Sequence, residues 1–265
     1  SLVVNAFLWT TLALTIVILR LYTRAILVRA LGWDDCLMAA AMVSRQMNSL
    51  CYRGWREKGN KKKPEERKKK KKICMADGVQ ALYATVPFYC TTQTLYKLSL
   101  TMQVSRLLTS MLGKRAILVA MLWIGACGLM TLCGSLFYCF PVSKAWDYTE
   151  PGWCVDRGAL FFVMSGVNIF NDIVLLVSPL PSLLRANLPQ KQQLILICVF
   201  LCGIFTTAVS CVRLNAMRVV AISPIIEQPV MAIPINLWSL IEINVAIICG
   251  SIPSIKVFVS RVVLR

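Results

Sequence analysis

Long apolar runs recur along the chain, separated by short segments that hold most of the charged and turn-forming residues. A hydrocarbon core of about 30 Å needs roughly 20 apolar residues per crossing helix. Seven stretches read as such spans: Val3 to Leu21, Cys36 to Tyr52, Gln80 to Leu107, Ala116 to Phe140, Leu160 to Leu180, Leu194 to Val220 and Met231 to Ser251. The second is the poorest, because Arg45, Gln46, Asn48 and Ser49 interrupt it. The pattern predicts an all-α fold, a polytopic membrane bundle of seven transmembrane helices, so the functional chemistry is sought in the bundle interior.

Composition bounds this picture without changing it. With 265 residues, 57% of them hydrophobic, and a mean hydropathy of +0.67, the chain fills one membrane domain over 1–265 and leaves little for a second, soluble one. No cleavable signal is visible ahead of the first span. The formal charge of +17 would favour nucleic acid if it were spread over a surface, but Arg53 to Lys72 alone holds twelve basic and three acidic residues. What remains is a mild basic excess of the kind that sets membrane orientation, and binding to nucleic acid is not expected.

That excess is ordered. With the N-terminus outside, Arg20, Arg24 and Arg29 fall inside after the first helix, Arg106, Lys114 and Arg115 after the third, Arg185 and Lys191 after the fifth, and Lys256, Arg261 and Arg265 after the seventh. The fourth-to-fifth loop carries Lys144 and Arg157 against Asp147, Glu150 and Asp156, as an external loop would. The Lys-rich insertion over 53–73 opposes this, since the same topology places it outside. A solvated disordered loop, a site for anionic lipid if the segment is cytoplasmic, and retained non-coding sequence are the alternatives it leaves open.

The chain has no histidine, which removes the commonest general base and metal ligand and with it histidine-based triads, dyads and zinc motifs. Twelve cysteines include no CxxC pair, and Cys198 and Cys202 lie one turn apart inside an apolar run, as small membrane-core residues do. No nucleophile and base occur at usable spacing, so no enzyme activity, metal or cofactor is expected.

Ionisable side chains inside a span cost roughly 2.5 to 3.5 kcal/mol at the helix centre, so each calls for a partner. Four qualify: Lys97, Asp172, Arg213 and Glu242. At about 1.5 Å per residue from the expected outer ends, Lys97 and Asp172 lie at one depth and Arg213 and Glu242 at a second, shallower one. They read as two cross-helix pairs, which either hold the bundle together or form a ligand site or conformational lock. Asn168 lies one turn from Asp172 on the fifth helix, and the seventh carries Asn236, Trp238, Ser239, Glu242, Asn244 and Ser251, too polar a series to face lipid throughout. That helix is the expected pocket wall.

Two loops carry further candidates. Cys139 and Cys154 bracket one external loop and suggest a disulfide, with Cys90 as a rival partner and two free thiols as the alternative. Closing a loop of about 15 residues would stabilise by about 3 kcal/mol in the chain-entropy model. Trp146 and Trp153 in that loop suit the membrane interface. Between the first and second helices, Gly32 ends one helix, Trp33 anchors at the interface, Asp34 caps the next and Asp35 favours its positive end. The acidic pair also has Arg20, Arg24 and Arg29 as neighbours, or a cytoplasmic partner as its contact.

In order along the chain, RLYTR from Arg20, GWDD from Gly32, LYKLSLTMQVSRL from Leu95, the Cys139/Trp146/Cys154 loop, NDIVLLVSPLP from Asn171, SCVRL from Ser210 and LWSLIEINVAIICGSIPSIK from Leu237 resemble the fungal rhodopsin-domain family of integral membrane proteins, related to receptor-like fungal proteins and to a satratoxin-cluster member. The resemblance implies a seven-helix, receptor-like protein. It does not bring retinal: Leu237 to Ser251 contains no lysine for a Schiff base, and Lys97 is on the third helix. The expected function is a receptor-like or sensor-like protein of the plasma membrane or an endomembrane, meeting the lipid bilayer, a small lipophilic ligand and a cytoplasmic signalling partner. A membrane transporter, or an accessory membrane protein of a secondary-metabolite pathway, is the alternative.

The charge pattern predicts that a reporter cysteine at Gly113, in the third-to-fourth loop, is labelled from the cytoplasmic side. Labelling only from the outside would reverse the orientation.

Overall fold

The computed structural model describes residues 2–23, 25, 32–44, 71–107, 111–145, 150–179, 190–222, 235, 238–239, 241–248 and 250–251. Arg24, Arg29, residues 45–70, Trp146, Asn236 and the basic residues beyond Ser251 lie outside them. The described chain is mostly helical. We label its helices α1 (Leu2–Tyr22), α2 (33–44), α3 (Lys71–Leu107), α4 (Met111–Leu136), α5 (Arg157–Val177), α6 (Gln190–Ile222) and α7 (241–248).

Several sequence boundaries need correction. Hydropathy starts the third helix at Gln80, yet α3 begins at Lys71 and so takes in the last two lysines of the insertion, because a backbone ladder continues through polar turns that hydropathy excludes. The fourth span was expected over Ala116 to Phe140, but α4 runs from Met111 to Leu136, so that Gly113 is a buried residue of its first turn rather than of a loop. Cys139–Phe140 instead pair antiparallel with Trp153–Cys154, a two-stranded element that the all-α expectation lacked. Too short to show alternation, those strands give no sequence signal. α5 starts earlier than expected, at Arg157, where the Asp156 carboxylate accepts from the Gly158 N–H as an N-cap.

Among the described residues two helices are both long and apolar enough to cross a membrane, Met111–Leu136 and Gly158–Val177. α4 turns Leu118, Val119, Leu122, Leu129 and Met130 outward while burying Ile117, Ala120, Ile124 and Gly128. Such an apolar outer face suits hydrocarbon better than water. Gly128 is where α4 meets α3, since a Cβ there would come within 2.3 Å of Thr94.

Polar residues of α3 are handled locally. Thr91, Thr92, Thr94 and Thr101 each donate to the carbonyl four residues earlier, at 2.7–2.9 Å, so their hydroxyls need no partner on another helix. The main apolar core joins four helices: Ala13 and Val17 of α1, Met38, Ala41 and Met42 of α2, Tyr96 of α3, and Ile243, Ala246 and Ile247 of α7. Through Lys97 and Tyr89, α3 also meets α5, α6 and α7.

Candidate functional site

On α3, Tyr89, Gln93 and Lys97 recur at four-residue steps and therefore share a face; on α5, Ser165, Asn168 and Asp172 follow the same helical logic. Ser210 and Arg213 are one turn apart on α6, and Glu242 comes from α7. These residues converge in a buried network. The Lys97 Nζ pairs with Asp172 Oδ1 at 2.8 Å and donates to the Asn168 backbone carbonyl at 2.9 Å and its side-chain Oδ1 at 2.7 Å. An ammonium has three N–H donors, so three oxygens account for all of them.

The Glu242 carboxylate is equally well surrounded. Ser210 Oγ donates to Oε1 at 2.6 Å and Asn168 Nδ2 donates to the same oxygen at 3.0 Å, while Tyr89 O–H donates to Oε2 at 3.1 Å. The Arg213 Nε lies 3.3 Å from Oε2. Its guanidinium sits over the Tyr89 ring, 5.2 Å from the centroid, and Nη1 donates to Ser165 Oγ at 3.4 Å. Gln93 Nε2 donates to the Tyr89 hydroxyl at 2.5 Å. Two cations and two anions thus balance at near-zero exposure, with Asn168 and Ser210 linking one pair to the other.

Charge burial on this scale is costly unless every ion is paired and its remaining polar sites are met. The network meets that requirement almost everywhere. Arg213 Nε, ion-paired to Glu242, and Nη2 have no hydrogen-bond partner among the described residues, nor do Tyr96 O–H, Gln93 Oε1 and both amide atoms of the buried Asn244. Ser239 and Ser251, on either side of α7, donate to the Ile235 and Ile247 carbonyls, both at 2.8 Å, while Glu242 enters the network.

A second buried cluster joins α1, α2 and α3 near Gly32, and in it the acidic pair meets Arg20, one of the neighbours expected for it. Gly32 precedes the first turn of α2, and Asp35, not Asp34, bonds back to it: the Gly32 N–H donates to Asp35 Oδ2 at 3.2 Å. Asp34 and Asp35 are fully buried and share Arg20, at 3.1 and 2.9 Å. Arg106, from the end of α3, reaches Asp34 Oδ1 at 2.6 Å over the bare Gly32, where a Cβ would meet its guanidinium. Arg20 Nη1 also donates to the Gly250 carbonyl at 2.7 Å, and Ser99 Oγ donates to the Asp34 carbonyl at 2.7 Å. Trp33 is exposed, as an interface anchor would be.

The Cys139 and Cys154 sulfurs are bonded, and Cys90 is a buried free thiol. Sequence reading missed Tyr89, Gln93, Ser165 and Ser210 in the first cluster, and Ser99, Gln103 and Arg106 in the second. The four-residue polar step on α3 was the available signal.

The paired geometry predicts how neutral variants behave. Reversing the Lys97–Asp172 pair would put a carboxylate among the Asn168 oxygens, so neutralisation is the cleaner test. Lys97→Met or Asp172→Asn alone leaves a buried charge unpaired and should lower stability by about 3 to 5 kcal/mol. The double variant should lose less than the sum of the two in thermal unfolding. Simple additivity would show that the two residues do not meet.

The model of the fungal rhodopsin domain matches residues 19–261. A protein of Metarhizium anisopliae, the polyenoic acids biosynthesis gene cluster protein Ba17b, is 26% identical over 252 residues, covering 91% of this chain and 69% of that protein. A SAT4 family membrane protein of Emericella nidulans is 28% identical over 80 residues, covering 30% of this chain and 21% of that one. No solved structure matches the chain. The match over 19–261 encloses both buried clusters, and the chain is a membrane protein of the fungal rhodopsin-domain family.

Proposed function

We propose that the chain is a receptor-like or sensor-like protein of seven transmembrane helices, without retinal or enzymatic activity, with its N-terminus outside, in which a small lipophilic ligand resets the packing of α3, α5, α6 and α7. The observation that carries this reading is the shared buried network: four helices are tied through one set of ion pairs, so shifting any member changes the contacts of the rest. A structural peg needs one pair; two pairs bridged by Asn168 and Ser210 provide a means of communication. The reading without retinal rests on the seventh span, where Leu237 to Ser251 contains no lysine for a Schiff base.

The accessory reading, a membrane protein serving a secondary-metabolite pathway, draws on the name of the Metarhizium relative. The bilayer, a lipophilic ligand and a cytoplasmic partner are the partners proposed here; no nucleic acid is.

Purified chain in lipid nanodiscs, heated with a panel of fatty acids, fatty alcohols and polyunsaturated acids, tests the proposal. A ligand should raise the unfolding temperature of the wild type by several degrees, and Glu242→Gln should reduce that increment. Flux of the same compound across proteoliposomes would instead make the chain a transporter. No shift with any member of the panel would count against ligand sensing.

A further inference from the structure

The Asp172 and Glu242 carboxylates are joined through a single hydroxyl, and the number of protons between them is decisive. Ser210 Oγ lies 2.6 Å from Glu242 Oε1 and 3.3 Å from Asp172 Oδ2. One hydroxyl has one proton to donate, and the shorter, charge-assisted contact takes it. Asp172 Oδ2 then faces the lone pairs of Ser210 Oγ.

The two carboxylates differ in what surrounds them. Glu242 has three hydrogen-bond donors, Ser210 and Asn168 on Oε1 and Tyr89 on Oε2, with the Arg213 guanidinium as its ion-pair partner. A proton added there would meet donors and find no acceptor. Asp172 has Lys97, whose other protons go to Asn168, and the longer contact to Ser210. A proton added to Oδ2 would find Ser210 Oγ as its acceptor, completing a chain from Asp172 through Ser210 to Glu242.

We propose that these three oxygens form a proton-binding site in which Asp172, and not Glu242, takes the first proton the network accepts. The proton comes from a hydronium ion, which leaves as water; one O–H bond forms on Asp172 and nothing is oxidised or reduced. Among the described residues the charged and titratable groups facing the site are Lys97, Tyr89, Cys90 and Tyr96 from α3, Arg213 from α6 and Glu242 from α7, with the Cys127 thiol of α4 toward Lys97. Uptake takes the two-pair network from neutral to a single positive charge. The ion left without its counter-charge is Lys97, so the contact that weakens is the tie between α3 and α5. The proton is thus a ligand in its own right, distinct from any lipophilic molecule.

Infrared difference spectra of the full chain in nanodiscs, recorded as pH is lowered with no ligand added, test this directly. The first carbonyl band of a buried protonated carboxylic acid should be missing in Asp172→Asn and retained in Glu242→Gln. In Ser210→Ala it should move to higher frequency, because the acid loses its acceptor. Persistence of the band in Asp172→Asn, its loss in Glu242→Gln, or an unmoved band in Ser210→Ala would overturn the assignment. So would the absence of such a band down to the pH of unfolding. If Asp172→Asn does not fold, the wild type and Ser210→Ala decide the question. Failure here leaves ligand sensing standing, since that reading is tested by added lipophiles.

Discussion

An ion inside an apolar bundle must be neutralised where it lies, because the several kcal/mol lost on leaving water are recovered only by a partner at contact distance with its remaining donors or acceptors met. That constraint sets how α3, α5, α6 and α7 face one another. Lys97 fixes α3 against α5 through Asp172 and both oxygens of Asn168, and Glu242 fixes α7 against α6, α5 and α3 through Arg213, Ser210, Asn168 and Tyr89. Rotation of any of these helices would separate charges that have no water to fall back on.

α3 carries the constraint along its length. Tyr89, Gln93 and Lys97 enter the first network, Ser99 and Arg106 enter the cluster around Asp34, and Tyr96 between them packs into the apolar core of α1, α2 and α7. The Gln103 amide belongs there too: with its oxygen toward the guanidinium it accepts from Arg20 at 2.8 Å and donates to the Gly250 carbonyl at 2.8 Å. A displacement of α3 is therefore felt at both clusters, one near mid-bundle and the other beside Gly32, where Arg106 is the half-exposed member. This gives the proposed sensing role a physical route between a ligand in the bundle and a partner at its end.

Much of the first network was legible because ionisable residues are so rare within the apolar runs. With only Lys97, Asp172, Arg213 and Glu242 to match, depth along the helices names the same pairs that the structure brings within 2.8 and 3.3 Å. Uncharged polar residues gave no comparable signal. A buried serine or threonine can satisfy itself on its own helix, as Thr101 does, so nothing in the sequence separates Ser210, which bridges, from its self-satisfied neighbours. Around Asp34 the sequence named Arg20, one of the basic neighbours of the acidic pair, but not Arg106, which is brought in by packing of a helix distant in sequence. Helix ends drifted because hydropathy marks where lipid would suit the side chains, not where the backbone ladder stops.

The central claim is that the two ion pairs act as one network through Asn168 and Ser210 rather than as two independent pegs. A thermodynamic cycle measures it most directly: remove the first pair with Lys97→Met and Asp172→Asn, the second with Arg213→Gln and Glu242→Gln, then both, and compare unfolding free energies in one lipid environment. A linked network predicts a coupling of about 0.5 to 3 kcal/mol between the pairs. Losses that add to within about 0.5 kcal/mol would contradict it.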